Sequence, residues 1–178
     1  MDEAARAWMA AARREDVRRD LDAVYAIVAD ETARRRPTCV ASGRCCNFAR
    51  TGHLLYVTGL EAACTLLRAG QRRATASSST PTTSPRVVAP NAGAVLSLAQ
   101  VEQARARGDC PFLVGTSCGV HAIKPLGCRV YFCDPTAQEW QRDLSERGMA
   151  MLRELHERHA VEYVYAEWRG LLSRLVGA

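Results

Sequence analysis

Lysine is nearly missing from this chain: Lys124 is the only one among 178 residues, so arginine carries almost all of the net charge of +5. Aromatic residues are also sparse, at 6%. The densest basic run, Arg34, Arg35 and Arg36, has no aromatic side chains interleaved with it. A single-strand nucleic-acid platform needs both, so nucleic acid is not an expected partner, and the run reads as the solvated end of a helix. No apolar stretch approaches the roughly 20 residues of a membrane span, which argues against a membrane protein. The N-terminal MDEAARAWMAAARRED lacks the basic-then-apolar order of a secretory signal, and the cytosol is the expected compartment. No glycine-rich phosphate loop, dinucleotide fingerprint, HExxH pair or GxSxG elbow occurs, so no standard enzyme signature is present.

Cysteine, in contrast, is plentiful, with eight in the chain, and seven of them fall into two groups. Cys39, Cys45 and Cys46 lie in CVASGRCCNF, and Cys110, Cys118, Cys128 and Cys133 lie in CPFLVGTSCGVHAIKPLGCRVYFC. A reducing compartment keeps thiols from forming a disulfide framework, and thiolate is the soft ligand of zinc, copper(I) and iron-sulfur centres. The two groups are therefore read as two halves of one metal site. The spacing Cys110-x7-Cys118-x9-Cys128-x4-Cys133 has only one pair close enough for a zinc finger or ribbon, which leaves an irregular zinc site or an iron-sulfur cluster. Adjacent side chains such as those of Cys45 and Cys46 diverge, so the pair is open to one ligand and one packing thiol, two metals, or a redox couple. Any four of the seven could complete a cluster. His53 and His121 are further candidate ligands, whereas His156 and His159 read as solvated or C-terminal-turn residues of the last helical tract. Four thiolates on a dication leave a charge of about −2, which Lys124, Arg44 and Arg129 are placed to stabilise.

The fold class expected is mainly α, a single domain with irregular cysteine-rich loops between helices and little or no sheet. Leu21, Val24, Tyr25 and Val28 repeat at helical spacing within an N-terminal helix spanning 3–35, which Pro37 stops. The first cysteine loop covers 38–47. A short extended piece, His53 to Val57, precedes a helix that a Thr58/Glu61 capping box opens and Gly70 closes. Cys64 lies on its apolar face and reads as a small core residue, the one cysteine left out of the site. Residues 71–93, rich in Ser, Thr and Pro, read as a flexible surface loop. A second capping box, Ser97/Gln100, opens a helix that ends at Gly108. After the second cysteine group at 110–133, Asp134 and Pro135 start a helical tract over 135–176 with a break near Gly148.

These pieces resemble one known family. Cys39 to Cys46, the GHLLYVT segment with Glu61, CPFL, and Cys118 with KPLGCRVYFC together are similar to the CxxCxxCC cysteine-cluster (YkgJ-like) proteins, which are described as zinc- or iron-chelating domains. The resemblance covers about half the chain, from Cys39 to Cys133. One position departs from the pattern: Ser42 stands where the family's motif has its second cysteine. The resemblance implies a metal-binding role, structural or in storage or sensing, with Cys39, Cys45, Cys46, Cys110, Cys118, Cys128 and Cys133 as ligand candidates for zinc or an iron-sulfur cluster. Through the cysteine motifs that the family shares with flagellin lysine-N-methylase proteins, it also implies an alternative: an iron-sulfur enzyme of methyl transfer or redox chemistry.

Overall fold

The computed structural model describes residues 2–38, 43–77 and 96–177, with only the backbone described over 73–77. The chain is mainly α. Among the described residues eight α-helices run in the order α1 (Glu3–Arg13), α2 (Glu15–Arg35), α3 (Phe48–Thr51), α4 (Gly59–Ser77), α5 (Leu98–Arg107), α6 (Leu126–Arg129), α7 (Gln138–Arg158) and α8 (Trp168–Val176). Two small antiparallel pairs complete the described regular structure. Strand β1 (Tyr56–Thr58) pairs with β4 (Tyr165–Glu167), and β2 (Leu113–Val114) pairs with β3 (Ser117–Cys118). No helix among the described residues is long and apolar enough to cross a membrane.

The segment read as one helix over 3–35 is two. Arg14 adopts an extended conformation between α1 and α2, held by Asp16 at 2.7 Å and by the His159 carbonyl at 3.3 Å. The break lets two apolar faces reach different neighbours. Ala5, Trp8 and Ala12 are buried on α1, which packs chiefly against α4, while Val17, Leu21 and Val28 are buried on α2, which packs chiefly against α7. A straight helix of that length would present one continuous stripe in one direction. Trp8 lies so close to the start of α4 that a Cβ on Gly59 would come within 2.4 Å of its ring.

The Thr58/Glu61 and Ser97/Gln100 capping boxes both form, with reciprocal hydrogen bonds of 3.0 and 3.2 Å in the first and 2.7 and 3.3 Å in the second. Helix α4 does not stop at Gly70 but continues to Ser77. A glycine inside a helix costs only about 1 kcal/mol, too little to end one without a capping geometry. The expected loop thus begins later than residue 71, and its part over 78–93 lies outside the described residues.

The C-terminal tract is also divided elsewhere than expected. Helix α7 runs unbroken through Gly148, and the break falls after Arg158, where the chain turns through Ala160 at φ 52° and extends into β4. Gly148 answers a packing demand: a Cβ there would lie 2.8 Å from a methyl of Leu126 on α6. His156 lies in the last turn of α7 but is not solvated: it is 2% exposed, with Nδ1 3.1 Å from the Val161 carbonyl and its ring edge-on to Tyr163. His159 is tucked between Asp16 and Asp20, with Nε2 2.9 Å from Asp20. Leu21, Leu60, Leu126, Leu144, Leu152, Leu171, Leu172, Trp8 and Trp168 form the innermost core, so the helices on both sides of the cysteine loops share one interior.

Candidate metal centre

The two cysteine groups are joined first by backbone. Gly43, at φ 68°, turns the chain into a short 3-10 turn over Arg44–Cys46. A Cβ at that glycine would lie 2.6 Å from the Thr116 carbonyl oxygen, so the turn between β2 and β3 rests directly on it. The Cys110 amide then donates to the Cys46 carbonyl at 2.7 Å, and the Ala49 amide donates to the Gly108 carbonyl at 2.9 Å. Asn47 and Asp109 form an isolated antiparallel bridge between these bonds. Loops far apart in sequence are thereby held in a fixed register.

Side chains complete the junction. The Cys46 thiol, 6% exposed, is a close neighbour of the thiols of Cys45, Cys110 and Cys118. Cys110, at 5% exposure, comes from the start of the β2–β3 hairpin and Cys118 from its end. Cys128, on α6, lies close enough to feel the charges of Cys45, Cys110 and Cys118. Five of the seven predicted cysteines are therefore neighbours. They line one cavity of about 780 Å³ together with His53, His121 and Lys124.

The closeness of these thiols sets their protonation: a proton kept on Cys46 favours charge on its neighbours, so theirs are lowered while that of Cys46 is raised. Cys45 and Cys118 are each lowered to about 6, first by Cys46 and then with help from Lys124. Cys110 is lowered by Cys46 and by the Phe112 amide, whereas Cys46 itself is raised. Burial pushes Cys128 well up. Lys124 has no carboxylate partner among the described residues, and its Nζ lies 3.5 Å from His121 Nε2.

Arg129 does not share this task. Its Nε donates to the Lys124 carbonyl at 2.7 Å and its guanidinium lies 4.1 Å from the Tyr25 ring centroid, so it braces the Lys124 backbone from the far side. Arg44 is exposed. His53 stacks on Tyr131 at 4.6 Å, and burial lowers its affinity for a proton. His121, lowered mainly by Lys124, is exposed at the cavity edge. Both histidines are thus neutral-leaning imidazoles beside the sulfurs.

Not every candidate joins the group. Cys133 is exposed and does not line the cavity. The neighbouring Asp134 carboxylate accepts the Thr38 amide at 3.2 Å, so the chain entering the first cysteine loop passes beside it. Cys39 lies outside the described residues. Cys64 is buried on α4, apart from the others, and desolvation pushes its thiol up to about 12. Among the described residues no three His, Cys, Asp or Glu side chains stand as a ready-made ion site: the sulfurs are gathered as neighbours, not arranged as a finished coordination sphere.

One residue that organises the site is visible in the sequence as half of a capping box and as part of the family resemblance, not as a buried anchor. Glu61 is 1% exposed, and its carboxylate accepts the Thr58 amide and hydroxyl at 3.0 and 3.1 Å, the Tyr25 hydroxyl at 2.9 Å and the Leu126 amide at 2.8 Å. It therefore ties β1, α2 and the start of α6 together, two residues before Cys128. An acid between apolar residues in VTGLEAAC is the signal that could have marked it as buried. No family model, curated protein or solved structure matches this chain.

Proposed function

We propose that this chain is a metal-binding protein whose sulfur group holds zinc or an iron-sulfur centre. Cys45, Cys46, Cys110 and Cys118 are the primary ligands, Cys128 stands beside them, and Cys39 and Cys133 complete the candidate set. The observation that carries the reading is the contact of the Cys46 thiol with those of Cys45, Cys110 and Cys118, which come from two loops distant in sequence. The donor set is soft, as zinc and iron-sulfur centres require. Thiols already lowered by their neighbours release protons to a metal at less cost, and Lys124 offsets part of the resulting negative charge. The resemblance of the cysteine motifs to YkgJ-like proteins points the same way, and a reducing cytosol would keep the thiols available. When bound, the metal supplies a cross-link between the loops and so contributes folding free energy.

The alternative, an enzyme built on an iron-sulfur centre, draws support from the cavity that opens onto these sulfurs. A purely structural site is normally closed by protein on all sides, whereas a reactive one keeps an approach for a substrate.

Metal and acid-labile sulfide analysis, with a visible absorption spectrum, on protein purified without oxygen and without a histidine tag tests the proposal. Iron with stoichiometric sulfide, or zinc near one per chain, is the expected result. Neither metal bound, on a folded protein, would return the cysteines to redox or packing roles.

A further inference from the structure

The cavity above the sulfurs is larger than a metal needs. Its volume of about 780 Å³ falls within the ~300–1,000 Å³ typical of small-molecule sites. The sulfurs line it, its walls are mostly apolar and aromatic, with Leu54, Tyr56, Tyr131, Phe132 and Tyr165 among them, and residues of α7 line it as well.

Two features of the walls lack an account in packing alone. Tyr56 on β1 and Tyr165 on β4 are diagonal neighbours on one face of the pair, with ring centroids 5.9 Å apart. They remain 44% and 47% exposed, and Leu54 beside them is 48% exposed. Exposed apolar surface contiguous with a cavity marks a ligand or partner site more often than isolated exposed residues do.

The α7 face supplies the polar groups. Gln138, Gln141, Arg142 and Ser145 lie within two turns and line the cavity together. The Gln141 side-chain oxygen is used by the Phe132 amide at 3.2 Å, which leaves its amide hydrogens free to donate. Arg142 has no ion-pair partner among the described residues, although Glu146 stands one turn along the same helix. Glu146 is the one carboxylate among the described lining residues, set against the cations Arg142 and Lys124. The donors are thus concentrated on α7, and a planar guanidinium is the group best matched to a carboxylate. The tyrosine pair and the sulfurs, in contrast, offer polarisable surface suited to an aromatic ring.

We infer that this cavity is a binding site for a small aromatic carboxylate, with the carboxylate on Arg142 and Gln141 of α7 and the ring between the tyrosine pair and the sulfurs. The occupancy of the sulfurs by a metal is not required for it.

Calorimetric titration of the full chain with 2-naphthoate, 2-naphthylmethanol and 2-naphthylmethylammonium tests this, with metal content measured on the same samples. Saturable 1:1 binding of naphthoate is expected, about tenfold or more tighter than of the ammonium analogue. Arg142→Gln, a substitution at an exposed position, should weaken naphthoate about tenfold and leave the neutral alcohol unchanged. Ser145→Trp, which fills the cavity from α7, should abolish binding of all three while circular dichroism shows the fold retained. Absence of saturable naphthoate binding, equal binding of the ammonium analogue, or an Arg142→Gln variant with unchanged naphthoate affinity would each overturn the inference. Naphthoate binding to a folded chain that takes up no metal would instead remove the metal-binding reading and support this one.

Discussion

The carboxylate of Glu61, at the start of α4, accepts the amide of Leu126, at the start of α6, over 2.8 Å in an environment closed to solvent. Sixty-five residues separate the two in sequence. The bond places the α6 turn, and Cys128 within it, relative to the half of the molecule that carries α2 and β1. Because the same carboxylate also serves Thr58 and Tyr25, all of its donors depend on one charge.

Replacing that charge is expected to be costly. Glu61→Gln keeps the shape but turns one acceptor oxygen into an NH₂ group facing donors, so at least one buried amide or hydroxyl loses its partner. The expected loss is about 2–4 kcal/mol, read from urea denaturation. If the bond also positions the sulfurs, metal affinity falls in this variant even under conditions where it is fully folded.

Cysteine substitutions separate ligands from core. Cys46→Ser and Cys110→Ser should each cut metal content sharply, because one removes the shared neighbour of the other thiols and the other removes a buried contact to it. Cys128→Ser should do so as well if Cys128 is a ligand and not a packing thiol. Cys64→Ser should leave metal content unchanged while lowering stability modestly, since a buried sulfur is exchanged for a hydroxyl. Equal metal content in all four variants would sink the assignment.

Stability should fall on mild acidification because of His156. Burial lowers its proton affinity below the usual 6.5, with the Val161 and Glu162 carbonyls and the charge of Glu61 opposing only part of that shift. Below about pH 6.5 the unfolded chain therefore binds a proton that the folded chain refuses, and stability declines from there down to the folded value. Above pH 6.5 both states of His156 are neutral and its contribution vanishes. Urea midpoints between pH 8 and 5 should show a decline that His156→Gln reduces, the remainder coming from His53, His121, Cys45 and Cys118, which are lowered as well.

Gly148→Ala tests whether this glycine breaks a helix or makes room for one. In an exposed helix interior the change would stabilise by about 1 kcal/mol, but here the added methyl would lie 2.8 Å from Leu126, and overpacking costs about 1–3 kcal/mol. A net loss of about 1 kcal/mol is expected in thermal or urea unfolding. A gain would show that α6 can move away freely.

Local signals in the chain were read with success where the determining interactions are themselves local. The two capping boxes, the Asp134 cap with Pro135 behind it, the end of α5 at Gly108 and the apolar stripe of α2 all depend on residues within one or two turns. The gathering of cysteines was also suggested by their grouping among turn residues. The division at Arg14 and the unbroken course of α7 through Gly148 were not legible, because each involves a partner element remote in sequence, while α4 runs past Gly70 because a lone glycine does not end a helix. Gly148 reads as a break by propensity and proves to be a contact with Leu126, 22 positions earlier.

The sequence by itself determined that the chain is mainly helical, that Cys64 belongs to a core face, and that the remaining cysteines fall in two groups among turn-forming residues. Only the tertiary structure decided which of them meet. Backbone bonds from Cys110 to Cys46 and from Ala49 to Gly108, together with the Glu61 carboxylate on the α6 amide, bring Cys45, Cys46, Cys110, Cys118 and Cys128 to one cavity and leave Cys133 at the surface. The physical reason is that spacing along a chain limits which side chains can meet, whereas buried hydrogen bonds and packing between distant segments select the few that do.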